Sequence, residues 1–279
     1  MKIAFMTLGC PHWDLDTICQ RGREYGFDGV DFRGYLDQID ITQLPIFTTH
    51  AAETRQRLSD AGLAVSAIST SIQVCAAEKR SANLDEARRT IEVALALGSE
   101  NVRIFGGGSL EQHSHAELAQ VGLGCIEAIL ELDGASSLHW LFETHDNWVK
   151  ANDCKLLLDH IDNPAFGALW DMGHTNRVGG ETPQQSYAAI GARVGYTHVK
   201  DAVFDYSHPE AMEDGWRYVL PGHGQLPLAE AIAVLRQHGY DGWLLFEQEK
   251  RWHPELAEPE VAFPAFVRWY AAVSASLNR

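Results

Sequence analysis

The sequence predicts an α/β chain closed as a single (β/α)8 TIM barrel over residues 1–279, and three observations carry that prediction. Eight short apolar runs rich in β-branched and aromatic residues alternate with longer stretches of helical spacing along the whole chain. Four joins between them, YGFDGV (25–30), AGLAV (61–65), LGSENV (97–102) and HGYDGW (238–243), set Gly where a helix C-cap needs a left-handed residue. No tract of Pro, Ser or Gly is long enough to link two domains, and the echo of YGFDGV in HGYDGW reads as a degenerate repeat of one βα unit. Repeated units of this kind close most naturally as a barrel.

In chain order the apolar runs are IAFMTL (3–8), GVDFR (29–33), AVSAIST (64–70), NVRIF (101–105), LHWLFE (138–143), FGALWD (166–171), GYTHVK (195–200) and WLLFE (243–247). Between them, Leu84, Ala87, Ile91, Ala94 and Leu95 recur at three- and four-residue spacing, and the stretch from Leu228 to Leu235 continues in the same way to His238. Both read as outer helices. The only long segment without a period, Ala202 to Gln225, falls in the position of the loop after the seventh strand. Loops after strand C-termini build the active sites of barrels, so this one, with Trp216, Arg217 and His223, is expected to be a lid or a substrate wall.

Hydrophobic residues make up 46% of the chain and charged ones 22%, the profile of an ordinary globular protein with one large core. Lys and Arg number 22 against 38 Asp and Glu, a formal net charge of -16. A surface that negative repels phosphate backbones and anionic lipid, so neither nucleic acid nor a membrane is expected as a partner. The cysteines Cys10, Cys19, Cys75, Cys125 and Cys154 are odd in number, scattered and without a CxxC pair, which argues against a disulfide framework and against a thiolate metal site. A reducing cytoplasm fits that usage. The opening MKIAFMTLGC meets polar HWDLD too soon for a signal peptide, and no later apolar stretch approaches membrane-spanning length.

The chemistry concentrates at the ends of the last four runs: LHWLFE closes on Glu143, FGALWD on Asp171, GYTHVK just past His198, and WLLFE on Glu247. A carboxylate bounding one strand is ordinary surface chemistry. Four consecutive strand ends lie on one rim of a closed barrel, however, so two Glu, one Asp and one His converge from about half its circumference. Oxygen donors with one imidazole suit Mn²⁺ or Mg²⁺, with Co²⁺ or Zn²⁺ as further choices, better than a structural zinc that recruits Cys or several His. One divalent ion with open positions for substrate oxygens is the expected cofactor.

The motifs LFETHD, LWDMGH, YTHVKD and LLFEQEKRWHPE resemble the sugar phosphate isomerase/epimerase superfamily, the xylose isomerase-like barrels, over essentially the whole chain. In its ketose 3-epimerase and hydroxypyruvate isomerase branches, a Glu, an Asp, a His and a Glu ending strands five to eight hold the metal. The resemblance carries these onto Glu143, Asp171, His198 and Glu247, and it makes the two Glu the acid and base as well. It also assigns His174, three residues after the metal Asp in DMGH, to the substrate. Lys200 and Arg217 join the substrate pocket by position. The family's nuclease branch binds three metals with extra His near the ends of strands two and three, where this chain has Arg33 and Ser69, Thr70 and Ser71. With the acidic balance, that counts against DNA repair. The triplet Glu143, Thr144, His145 resembles the 3-dehydroshikimate dehydratase branch, in which the His two residues after the metal Glu helps to abstract a proton.

The residue types suit one chemistry independently of family. A metal holding a carbonyl and the adjacent hydroxyl acidifies the C–H between them and stabilises the enediolate, while carboxylates on either side move protons. Delivery on opposite faces gives epimerisation, and delivery on one face gives 1,2-isomerisation. The expectation is therefore a divalent-metal-dependent isomerase or epimerase of a small ketose, aldose or related polyol. A dehydratase or lyase acting on a keto-polyol of the inosose, 3-keto-sugar or dehydroshikimate type is the alternative that His145 sustains, and a noncatalytic metal- or sugar-binding barrel is the third. FGGG (105–108) either clears backbone for a ligand or relieves crowding in a tight turn, His113 and His115 fall at the start of a rim helix, and His12 and Trp13 are further pocket positions. The particular sugar, its phosphorylation and any homo-oligomer stay open.

Overall fold

A computed structural model of the protein describes residues 1–278. Eight parallel strands, β1 (Lys2–Met6), β2 (Gly29–Phe32), β3 (Ala64–Gln73), β4 (Asn101–Phe105), β5 (His139–Glu143), β6 (Phe166–Asp171), β7 (Val194–Val199) and β10 (Trp243–Phe246), close in the order β1-β10-β7-β6-β5-β4-β3-β2. All eight apolar runs are strands, and the largest boundary change is at β3, which runs on to Gln73. The first run stops short because Thr7–Gly9 curls into a 3₁₀ turn. There the Thr7 hydroxyl donates to the Gly34 carbonyl at 2.7 Å and accepts from the Arg33 N–H at 2.9 Å, tying the ends of the first two strands together.

The outer layer consists of α1 (Leu15–Tyr25), α2 (Ala51–Asp60), α3 (Arg80–Leu97), α4 (His115–Leu130), α5 (Ala151–Leu158), α6 (Met172–Arg177), α7 (Pro183–Ile190), α8 (Leu228–Gln237) and α9 (Pro259–Ser276). Gly26, Gly62, Gly98 and Gly239, at or just past the ends of α1, α2, α3 and α8, hold φ between 74° and 84°, as helix termination in a left-handed residue requires. Among the described residues no helix is long and apolar enough to cross a membrane.

Strand alternation sorts the core into two shells. Outward residues such as Val102, Ile104, Trp140, Phe142, Ala168, Leu244 and Phe246 pack beneath the helices, while Ala4, Met6, Leu8, Ala67, Leu141, Leu169, Tyr196 and Leu245 form a separate apolar plug inside the barrel. Two residues further along β5 and β6, and the same step from Tyr196 and Leu245, the inward positions are Glu143, Asp171, His198 and Glu247. The plug is thus the floor on which a polar layer stands at the C-terminal mouth.

The segment Ala202–Gln225 is not the irregular loop its lack of period implies. Strands β8 (Asp201–Phe204) and β9 (Trp216–Val219) pair antiparallel within it as a hairpin outside the barrel. The Asp201 carboxylate secures its return by accepting from the N–H groups of Gly222 at 2.8 Å and Gly224 at 3.0 Å.

FGGG proves to be a matter of packing. Trp148 is fully buried and its Nε1–H donates to the Gly107 carbonyl at 3.0 Å, and a Cβ on Gly106 would overlap the indole ring. Gly106→Ala is therefore expected to lower stability by about 1–3 kcal/mol through overpacking. Urea unfolding checks this, and an unchanged midpoint would show that the indole moves aside without penalty.

Candidate metal centre

Register assembles the site. Glu143 pairs with Leu169, and His198 pairs with both Asp171 and Leu245. Glu247 extends the last pairing one residue past β10, its N–H donating to the Val199 carbonyl at 2.9 Å. One ligand atom from each of Glu143, Asp171, His198 and Glu247 lies within 4.8 Å of the others, and all four residues are buried.

Three carboxylates at that spacing need positive charge. His198 Nδ1 lies 3.0 Å from Glu143 Oε1 and 3.3 Å from Glu247 Oε2, and Arg103 Nε lies 3.4 Å from Glu143 Oε2. The Lys200 ammonium is 2.9 Å from Asp171 Oδ2, touches Glu247 Oε2 and is 3.0 Å from Glu249 Oε1. Among the described residues Glu143 Oε2, Asp171 Oδ2, His198 Nε2 and Glu247 Oε2 are buried and make no hydrogen bond, and the three carboxylate oxygens are met by the ion-pair contacts alone. His198 Nε2 alone of the four also lacks an ion-pair contact, and a buried group left so costs roughly 1–3 kcal/mol. The donor set, hard oxygens with one imidazole, fits a divalent cation, and the lysine ammonium shows that the cluster already draws positive charge.

The same contacts set the protonation states. Burial opposes ionisation of Glu143 and Glu247, but His198 with Arg103, and Lys200 with His198, hold the two carboxyls below the usual range. Burial prevails at Asp171 and pushes its carboxyl up. Burial also disfavours the His198 imidazolium, yet the carboxylates of Glu247 and Glu143 raise it above its ordinary value. His174 is driven down by burial and then by the charge of Lys200, which keeps it neutral.

The remaining residues singled out by sequence divide into those the fold gathers and those it does not. Asp171 caps α6 by accepting from the His174 N–H at 2.8 Å, which explains the three-residue step in DMGH. That cap sets His174 Nδ1 3.1 Å from Asp171 Oδ2 and Nε2 3.3 Å from Lys200 Nζ. His145 stands at the mouth between the rings of Phe105 and His174, at 4.7 and 4.6 Å, with Nδ1 2.6 Å from Asp146 Oδ1. Arg217, on β9, lines a cavity of about 460 Å³ with Lys200, Tyr218, His223, Glu247 and Glu249. Trp216 points away and packs edge-on against Phe204. Trp13 is not a pocket residue: it is buried in the outer shell against Phe5 and Phe263, its Nε1–H donating to Glu260 at 3.3 Å. His12 and His113 are exposed, and His115 Nε2 lies 2.8 Å from the Asn147 carbonyl.

Sequence reasoning passed over Asp31, Arg103 and Glu249, all of which the barrel turns toward the site. Asp31 is fully buried, accepts from the Ser69 hydroxyl at 2.9 Å, and is pushed up to about 6 by burial. Glu249, two residues past Glu247, pairs with Lys200 at 3.0 Å. The available signal was a charge inside an otherwise apolar run, as in GVDFR and NVRIF.

A closed parallel barrel with a buried carboxylate and imidazole cluster at the C-terminal mouth defines a metal-competent (β/α)8 protein. The family described as xylose isomerase-like TIM barrel matches residues 19–270, and the chain belongs to it. No curated protein matches the sequence. Among solved structures, the chain is similar to the probable 3-DHS dehydratase AsbF of petrobactin synthesis from Bacillus anthracis, at 19% identity over 97% of this chain and 99% of that one, with a TM-score of 0.78. It is also similar to the IOLI protein solved with a zinc atom, at 14% identity over 99% and 98% and a TM-score of 0.77. A D-tagatose 3-epimerase-like protein matches at 17% identity over 99% and 100%, with a TM-score of 0.74. At these identities the likenesses establish the fold.

Proposed function

We propose that the protein is a divalent-metal-dependent isomerase or epimerase of a small ketose, aldose or related polyol. The carrying observation is the buried cluster in which Glu143, Asp171, His198 and Glu247 each bring a ligand atom within 4.8 Å of the others. These four would hold the ion, with Mn²⁺ or Mg²⁺ favoured by the oxygen-rich donor set. When bound, the ion supplies Lewis acidity toward a carbonyl and its neighbouring hydroxyl. The epimerase and dehydratase names among the structural neighbours support a catalytic barrel.

The side chains supply the proton chemistry. Glu143 at the end of β5 and Glu247 one residue past β10 stand at the two ends of the row β5-β6-β7-β10, so they flank the cluster from opposite ends. Both are held ionised, so either can take a proton from the carbon beside the carbonyl, leaving an enediolate, and the acid form this creates can return that proton, or one exchanged with water, to a neighbouring carbon; return by the opposite carboxyl requires that it first take a proton from water. The Lys200 ammonium offsets negative charge building on the substrate oxygens. His174, neutral in its buried position, can exchange hydrogen bonds with a hydroxyl, and Arg217 with Tyr218 walls the substrate space.

One observation favours the dehydratase or lyase reading. Asp146 holds a left-handed φ of 52°, and its carboxylate orients the His145 ring through Nδ1, an imidazole and carboxylate pair suited to a general base. The product separates the two readings. Incubation of the metal-loaded protein with a panel of ketoses and keto-polyols in D₂O is expected to give an isomer carrying deuterium on the carbon next to the carbonyl. Loss of water or of a fragment would establish the lyase reading, and full retention of the substrate's own hydrogen would replace proton transfer with a hydride shift.

A further inference from the structure

We infer that Lys200 competes with the divalent ion for Asp171 and Glu247, and that Glu249 is the positioning residue that receives its ammonium when the ion takes those two carboxylates. The inference rests on the metal binding proposed above and deepens it. Lys200 follows the end of β7 by one residue, and its ammonium meets three carboxylates at once: Asp171 Oδ2 at 2.9 Å, Glu249 Oε1 at 3.0 Å, and Glu247 Oε2 in contact. His174 Nε2 stands 3.3 Å away as a fourth neighbour.

An ammonium has three N–H bonds, so these four acceptors are not all served together. The contacts divide between them. Those to Glu249 and His174 are hydrogen bonds, whereas those to Asp171 and Glu247 are ion-pair contacts in which the carboxylate oxygen accepts no hydrogen bond. Lys200 is therefore anchored on the Glu249 side and offers only its charge to the cluster. A divalent ion at Asp171 and Glu247 supplies positive charge at shorter range and repels the ammonium from the same oxygens. Because the hydrogen bonds to Glu249 and His174 persist, the ammonium withdraws while staying paired, which a buried charge requires. Its third N–H is then left for a substrate oxygen.

The surroundings of Glu249 suit that part. It lies outside the group of four whose ligand atoms converge. Both of its oxygens are approached by other side chains: the Tyr218 hydroxyl donates to Oε1 at 3.4 Å, and His253 Nε2 stands 3.7 Å from Oε2. The Tyr218 ring presents its face to the ammonium, 5.7 Å from its centroid. Lys200, Tyr218 and Glu249 line the same cavity as Glu247, so a shift of the ammonium from Glu247 to Glu249 follows the cavity wall. The lysine stem rests against Gly173, where a Cβ would come within 2.6 Å of its Cγ, and this confines the shift to the terminal bonds. If Lys200 were only a fixed counter-ion of the cluster, its hydrogen bond would fall on Asp171 or Glu247 rather than on a carboxylate outside the group.

Calorimetric titration of the chelator-treated full chain with Mn²⁺, in wild type, Lys200→Met, Glu249→Gln and the double variant, tests the inference. Lys200→Met is expected to bind Mn²⁺ about tenfold more tightly, because the competitor is gone, and Glu249→Gln about tenfold more weakly, because the ammonium stays on Asp171 and Glu247. The double variant should match Lys200→Met, since Glu249 acts through the lysine, and Glu249→Asp should recover part of the wild-type affinity. Circular dichroism checks the fold of each variant, and Lys200→Gln, which keeps a polar end, is titrated alongside so that the cycle closes if the Met variant does not fold. No change from Glu249→Gln, or an equal loss with and without Lys200, would mean that the glutamate does not act through the lysine. Weaker Mn²⁺ binding in the lysine variants would make Lys200 a support of the site instead of a competitor. Each of these results overturns the handover and leaves the proposed metal site standing. Wild-type protein that binds none of Mn²⁺, Mg²⁺, Co²⁺ or Zn²⁺ overturns the metal reading and this inference with it.

Discussion

Replacing Glu247 with glutamine is expected to lower turnover by about 10²- to 10⁴-fold at saturating metal, the usual scale for loss of a positioned acid or base. The substitution keeps the shape and one oxygen donor, so it separates proton transfer from ligation. It removes the charge that Lys200 and His198 hold in place, and Lys200 keeps Asp171 and Glu249 as partners, so the fold should survive. Steady-state kinetics paired with elemental analysis of the same protein makes the measurement. Full turnover with bound metal would leave Glu247 a ligand alone and would move the proton chemistry to Glu143 or His145. Glu143→Gln should behave alike if the two carboxylates share the work from opposite ends of the row.

The barrel was readable because its strands are buried on both faces, so that each appears as an unbroken apolar run, and because Gly26, Gly62, Gly98 and Gly239 mark where helices end. The cluster was readable for a related reason. In a strand of period two, a polar residue that closes an apolar run on the inward side must stand on the plug, and four consecutive runs closed that way. The hairpin β8-β9 was not readable, since it depends on one carboxylate, Asp201, reaching N–H groups more than twenty residues away, which leaves no local periodicity. Asp31 and Arg103 were missed for a different reason. A single charge inside GVDFR or NVRIF looks like an interruption of the pattern, and only closure of the sheet shows that it faces the chemistry. Trp13 shows the reverse: it sits in sequence just after a strand end, as a pocket residue would, but Phe263 of the last helix and Phe5 of the first strand enclose it in the outer shell.

Removal of the metal is expected to abolish turnover while leaving a folded but less stable protein. The apo chain should keep its barrel because the Lys200 ammonium already bridges Asp171, Glu247 and Glu249, offsetting part of their mutual repulsion. That offset is incomplete, because Lys200 does not reach Glu143 and the His198 Nε2 atom has no partner among the described residues. A divalent ion bound only by the native state should therefore stabilise the protein measurably: at a thousandfold excess over its dissociation constant the gain is about 4 kcal/mol. With an unfolding entropy in the ordinary per-residue range, that corresponds to a rise of about 7 °C in the unfolding temperature. Thermal unfolding followed by circular dichroism, with chelator and then with Mn²⁺, Mg²⁺, Co²⁺ or Zn²⁺ in turn, reads the shift and ranks the ions. Asp171→Asn should flatten the response, because it removes a charged oxygen donor from the centre of the row while Glu143 and Glu247 stay in place. Turnover that persists in excess chelator, together with an unfolding temperature that no ion raises, would show that the cluster is served by Lys200 alone and would overturn the metal-dependent mechanism.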